Sequence, residues 1–335
     1  MRTALLTLFA LTIPSHAFAT FSIVAFDPAT GDLGVAVQSH AFTAGAAVPY
    51  AIPGVGAVAT QASANRLYGP KAIDLLRQGL SPAEVVKRLT DEDPGRDTRQ
   101  LAVIDAKGRS AVYTGKHVID RNFDAADFIH LGGYAGHIAG RNFSVQGNTL
   151  ASEDVLKNMA RAYEQGKGTM AERLMDALDA GQAAGGDTRG MQSAGILVVR
   201  PVPPGSNLVV DRIVDIRVDD AVDPFRELRR LLNISLGVPR KLTDQSADLA
   251  REGKFDAAIA LVKQALEIQP NSDTLHYALA QRYAQAGRPQ QALVPLREAI
   301  RLHPNLARQA AADPLFAALR ELAEFKRLIR VATPG

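Results

Sequence analysis

The chain has 335 residues, 47% of them apolar, and no cysteine; this is the composition of a folded protein, and it excludes a disulfide framework or a lipid carried on an N-terminal cysteine. The net charge of +3 is small for this length and no block of Lys and Arg is interleaved with aromatics, so a nucleic-acid partner is not expected. Length alone predicts about two domains of roughly 150 residues each.

Met1-Arg2-Thr3 is short and positive, residues 4–13 form an apolar run of ten, and Pro14-Ser15-His16 leads into Ala17-Phe18-Ala19. That layout predicts a secretory signal peptide over residues 1–19. The run of ten is too short to span a bilayer, which takes roughly 20 apolar residues, so a periplasmic or secreted protein without a membrane anchor is expected. Cleavage after Ala19 makes Thr20 the first residue of the mature chain. A threonine inside a chain offers an unreactive hydroxyl, whereas an N-terminal threonine sets a nucleophile beside its own amine, with pKa about 7.7 to 8.0.

Residues 20–26 (TFSIVAF) and 33–39 (LGVAVQS) are apolar, β-branched runs separated by turn residues, the pattern of a hairpin. A third strand is expected at 55–61 and a helix at 69–78. Ser81-Pro82-Ala83-Glu84 then supplies a capping serine, a proline at the first helical position and a glutamate at the third, starting a helix that runs to Thr90. Strands at 100–105 and 110–114 form a second hairpin, with a further strand at 142–146. Helices at 152–165 and 170–180 follow, then a glycine-rich segment at 181–190, strands at 192–199 and 212–218, and a helix at 224–232. Strands, helices and strands in this order predict a layered α+β domain over residues 20–236.

Between 244 and 305 the chain repeats itself: Gly253 recurs as Gly287, Ala258 as Ala292, Ala265 as Ala299 and Pro270 as Pro304, always 34 residues on. Period and small residues resemble the tetratricopeptide repeat, two helices per unit. Two units fall short of the usual three, and Asp313 to Arg330, with Leu315, Phe316, Leu319, Leu322, Phe325 and Leu328 read as one helical stripe, is expected to cap a module spanning 242–332. Such modules bind peptides or protein surfaces, or serve only to pack against another domain or subunit.

The amides and hydroxyls at predicted strand ends are the candidates to surround Thr20: Gln38, Ser39, Gln61, Asn65, Gln146 and Asn148. The other reading of each is a turn residue satisfying nearby backbone. Arg66, Tyr68-Gly69 and Arg99 could receive an anionic substrate group, or simply cap a helix and form ion pairs. His40, His117, His130, His137, His276 and His303 are scattered, and neither a metal-ligand constellation nor a phosphate-cradling loop is present in the sequence, so no metal or cofactor is expected.

TFSIVAFDPATGDLGVAVQS, GVGAVATQASANRLYGP, RQLAVID, FSVQGNTL, GQAAGGDTRGMQSAG and DIRVDD resemble the N-terminal nucleophile hydrolases, and more closely a bacterial family of unknown function within that fold group. The resemblance implies a four-layer αββα sandwich in which the Thr20 hydroxyl attacks an amide carbonyl and its own amine relays the proton. It also implies that Asp187 and Ser193 orient that amine; the alternative is an Asp187–Arg189 salt bridge at a subunit contact. Proteasome-type members carry a lysine on the third strand, but residues 54–64 contain none and Lys71 lies in the next helix. Neutral amides are therefore expected to do that work. The expected activity is hydrolysis of a small amide-containing substrate by a homo-oligomer. The rival is a non-catalytic scaffold that recruits protein partners through its repeats.

Overall fold

The computed structural model describes residues 20–119, 133–202, 205 and 211–331; the predicted signal peptide lies outside them. The chain divides into two compact units, 1–228 and 229–335.

Among the described residues the first unit contains ten strands: β1 (Thr20–Phe26), β2 (Leu33–Ser39), β3 (Pro49–Ile52), β4 (Gly56–Ala62), β5 (Arg99–Asp105), β6 (Ser110–Thr114), β7 (Tyr134–Gly140), β8 (Phe143–Leu150), β9 (Ser193–Val199) and β10 (Arg212–Val218). They form a six-stranded sheet in the order β10-β9-β2-β1-β8-β7 and a four-stranded sheet in the order β3-β4-β5-β6. The helices are α1 (Ala44–Ala47), α2 (Tyr68–Arg77), α3 (Pro82–Asp91), α4 (Lys116–Ile119), α5 (Asp154–Gln165), α6 (Met170–Ala183) and α7 (Pro224–Ser235), the last running past the end of this unit.

Alternation along the strands decides what packs on what. Val24, Leu33, Val35, Val37, Leu197 and Val199 of the larger sheet meet Ala57, Ala59, Ala102 and Ile104 of the smaller one in a shared core. The opposite face of the smaller sheet sends Val58, Leu101 and Val103 against Tyr68, Ile73, Val85 and Leu89 of α2 and α3. On the outer face of the larger sheet Gly34 lets Met170 and Leu174 of α6 come close, and Gly181 does the same for Phe21 and Met159. The two sheets thus lie face to face, with α2 and α3 outside one and α5 and α6 outside the other. Each large aliphatic side chain buried here stabilises the fold by about 1.5 to 3 kcal/mol.

β1, β2, β6 and β10 fall where the sequence puts them. β3 and β7 are absent from the sequence reading: both are edge strands, one opening on Pro49 and the other carrying Gly136 and Gly140, so neither shows a buried β-branched run.

The second unit is helical after α7: α8 (Val238–Arg251), α9 (Phe255–Ile268), α10 (Asp273–Gln285), α11 (Pro289–Leu302), α12 (Leu306–Ala312) and α13 (Ala323–Val331). Gly253 and Gly287, with φ of 76° and 70°, end α8 and α10 in the left-handed region. The repeated Ala258, Ala292, Ala265 and Ala299 are fully buried. The expected single capping helix is instead broken into a 3-10 segment, Pro314–Leu319, and α13, with α12 before it. Nine residues separate Phe316 from Phe325, which on one straight helix puts them on opposite sides, at about 100° per residue. The break brings both into one core, their ring centroids 6.4 Å apart.

Candidate functional site

Cross-strand partners in an antiparallel sheet share a face. Ser193 pairs with Ser39, Ser39 with Thr20, and Thr20 with Asn148, so a polar row crosses β9, β2, β1 and β8 on the face turned to the smaller sheet. The next row inward contains Ser22, Gln146 and, on β7, His137. All these groups except His137 are buried. Buried polar groups must find partners or cost stability.

The Thr20 hydroxyl donates to Ser39 Oγ at 3.0 Å. From the facing sheet, Gln61 Nε2 donates to the Thr20 carbonyl at 3.4 Å and to Gln100 Oε1 at 2.7 Å, while its Oε1 accepts from Ser22 at 2.6 Å. Ser22 in turn accepts from Gln146 Nε2 at 2.5 Å. Gln100 is the hub: its Oε1 also accepts from Asn148 Nδ2 at 3.1 Å, and its Nε2 donates to Thr114 Oγ1 and to the carbonyls of Gly136 and Gly147 at 3.0, 3.2 and 2.9 Å. Thr114 continues the chain to His137 Nδ1 at 3.4 Å, and desolvation holds that imidazole below its usual pKa. The network around Thr20 is built from neutral amides and hydroxyls.

Of the residues singled out from the sequence, Thr20, Ser39, Gln61, Gln146 and Asn148 come together. Gln38 does not: it pairs with Phe21 and so points to the helical layer, where its Nε2 donates to the Gly190 carbonyl at 3.2 Å and its Oε1 is buried without a partner. Alternation explains the difference, since adjacent residues of a strand take opposite faces. Ser193 shares the row, but its hydroxyl donates to the Ala41 carbonyl at 2.6 Å and accepts from Ala44 N at 3.0 Å, which holds the turn after β2. Asp187 accepts from the His40 amide at 3.2 Å and forms an ion pair with Arg189 at 2.9 Å within the chain.

Asn65 belongs to a second cluster beyond Gln61. Its Nδ2 donates to Asp93 at 3.4 Å, as do the Tyr68 hydroxyl at 2.7 Å and Arg99 Nε at 3.0 Å. Arg99 is therefore committed to Asp93 rather than open to a substrate carboxylate. Burial raises the Asp93 carboxyl, but the Tyr68 hydroxyl, Arg99 and the Gly95 N–H outweigh it and bring it down to about 2. Burial, then the hydrogen bond to Asp93, pushes the Tyr68 hydroxyl well above its usual range. Lys71 is exposed on α2.

Sequence reasoning missed Ser22 and Gln100. Both are polar residues at buried strand positions, and the signal was their break with the apolar run around them. Two non-glycine residues with positive φ adjoin the network: Ala62 (62°) follows Gln61, and Thr149 (54°) follows Asn148. A β-branched residue held there is strained, and such strain concentrates at functional sites.

Among the described residues no cluster of His, Asp and Glu could hold a metal, and no helix is long and apolar enough to cross a membrane. A family model described as a family of unknown function (DUF1028) matches residues 20–228, and a tetratricopeptide repeat model matches 249–320. The crystal structure of a DUF1028-family protein from Silicibacter pomeroyi is similar over 65% of this chain and 89% of its own, at 29% identity and a TM-score of 0.55. No curated protein matches.

Proposed function

We infer that this chain, which belongs to the DUF1028 family of unknown function, is an exported amide hydrolase of the N-terminal nucleophile type with Thr20 as its nucleophile. The observation that carries the reading is the placement of Thr20: first residue of a central strand, hydroxyl bonded to Ser39, and enclosed by Asn148, Gln61 and Gln100. The family match also begins at Thr20, where the predicted signal-peptide cleavage falls. The order of layers, helices outside two facing sheets, suits an αββα sandwich of this class.

In this mechanism, cleavage of the Ala19–Thr20 bond frees the α-amine. The amine takes the proton from Thr20 Oγ1 as that oxygen attacks the substrate carbonyl, and passes it to the leaving nitrogen as the C–N bond breaks. Water then hydrolyses the acyl ester and restores Thr20. The branched β-carbon limits the rotamers of the hydroxyl, and Ser39 orients it. Asn148, directly across from Thr20, spends one amide hydrogen on Gln100 and keeps the second for the oxyanion, a contact typically worth about 3 kcal/mol. The substrate is a small amide, and the compartment is the periplasm or the exterior.

A test is N-terminal sequencing of the secreted protein, followed by labelling with a β-lactone probe. Mature chains beginning at Thr20 are expected to label; Thr20→Ser is expected to retain labelling and Thr20→Ala to lose it. A mature terminus elsewhere, or equal labelling of Thr20→Ala, would sink the mechanism. The tetratricopeptide match favours a second role, recruitment of protein partners by residues 249–320.

A further inference from the structure

Burying a charge is costly unless an opposite charge or a full set of hydrogen bonds accompanies it. The first unit obeys this rule: buried Asp32, Asp105 and Asp187 are paired with Arg200, Arg109 and Arg189. The repeat module does not. Arg282 on α10 is 8% exposed, and among the described residues of that module it is the one charged side chain so buried. Its partners are neutral: Nε donates to Ser246 Oγ on α8 at 3.1 Å, and Nη1 to Gln285 Oε1 at 2.6 Å. Ser246 hands its own proton to the Ala258 carbonyl at 2.8 Å, so its oxygen is held as an acceptor.

These contacts use two of the five guanidinium N–H groups, and the others have no partner among the described residues. No acidic side chain among the described residues pairs with Arg282. On α8, Asp244 pairs with Arg240 and Asp248 with Arg251; on α10, Asp273 pairs with His303. Desolvation pulls the Arg282 pKa below its usual value, yet a guanidinium stays protonated in proteins. A cation fixed at Nε and Nη1, with its remaining N–H groups unspent, is preorganised for an oxyanion that can accept two parallel hydrogen bonds.

We propose that Arg282 is the floor of an anion site in the repeat module, between α8 and α10, that takes the carboxylate or phosphate oxygens of a ligand. Ser246 and Gln285 act as positioning residues that hold the fork with its Nη edge outward.

The full chain would be melted in sodium phosphate, sodium acetate and sodium chloride at matched ionic strength, as wild type and as Arg282→Met. Because a ligand that binds only the folded state raises its midpoint, the wild-type repeat module is expected to melt a few degrees higher in an oxyanion than in chloride. Arg282→Met, with no buried charge, is expected to melt at or above wild type in chloride and to show no oxyanion-specific rise. An equal rise in the variant, or none in wild type, overturns the proposal. Should Arg282→Met fail to fold, Arg282→Lys replaces it: it keeps the charge but loses the fork, and a full oxyanion response in that variant overturns the proposal equally. Fluorescence anisotropy with a labelled glutamate-rich decapeptide separates the sources. Binding that weakens at least tenfold in the variant assigns the site to a protein partner, whereas phosphate stabilisation without peptide binding assigns it to a free oxyanion.

Discussion

At the scale of single residues, Gln100 is the group on which the arrangement around Thr20 depends. Its carbonyl receives both Gln61 and Asn148, and its amide satisfies Thr114, Gly136 and Gly147. Gln100→Leu leaves buried donors and acceptors unpaired on both sheets, and is expected to destabilise the protein by roughly 2 to 4 kcal/mol, measured by urea unfolding. Labelling of Thr20 should also fall in the folded fraction, since Asn148 and Gln61 lose their fixed orientation. Asp93 gives a pH-dependent counterpart. Its folded pKa of about 2 lies below the ordinary carboxylate value, so its contribution is complete above pH 4 and is lost as pH falls through 2. Wild type should therefore lose about 2 kcal/mol relative to Asp93→Asn between those pH values, and parallel acid-unfolding curves for the two proteins would count against the Tyr68–Asp93–Arg99 clamp as a stabilising unit. These residues also show where the sequence was legible. Thr20, Ser39 and Gln61 stand at the ends of recognisable strands. Gln100 and Ser22 gain their meaning only when the two sheets face each other. Gln38 faces the helical layer: nearness to a strand end says nothing about which face a side chain takes.

At the scale of elements, local chemistry set the boundaries that were predictable. α3 starts where Ser81-Pro82-Ala83-Glu84 says it should: the Glu84 amide donates to Ser81 Oγ at 3.4 Å, and the Glu84 carboxylate accepts from Ser81 N at 2.7 Å. Ser81→Ala removes one half of that box and is expected to cost about 1 kcal/mol, seen as a lower urea midpoint with an unchanged slope. The effect on Thr20 labelling should be small, because α3 packs on the outer face of the smaller sheet through Val85, Val86 and Leu89, away from Gln61 and Gln100. Elements set by tertiary demands were less readable. The capping segment looked like one helix because its apolar residues recur at helical intervals, but only a break lets Phe316 and Phe325 enter the same core. Likewise β7 carries no apolar run, and its place is given by pairing with β8.

At the scale of the whole molecule, the two units differ in what they are built to hold. The first unit buries a neutral amide network around one threonine, and its buried carboxylates are each matched by an arginine. The second buries an arginine among neutral partners. This contrast argues that the proposed nucleophile and the proposed anion site are separable, and a truncation series tests it. The division between units falls inside α7, after Leu228. Phe225 and Leu228 are buried in the first unit, and the Phe225 ring lies 6.4 Å from that of Phe21, the neighbour of Thr20. A chain ending after Leu236 keeps α7 whole and is expected to fold cooperatively and label at Thr20 as the full chain does, while losing any oxyanion response. A chain ending after Val222 gives up both side chains; removing a buried Phe alone costs about 3 to 5 kcal/mol, a large part of the stability of a typical domain. That shorter chain is expected to be unfolded or to label poorly, judged by circular dichroism and probe incorporation together. If the longer truncation folded but no longer reacted, the repeat module would have to take part in the chemistry, and the separation of roles argued from the two kinds of buried charge would fail.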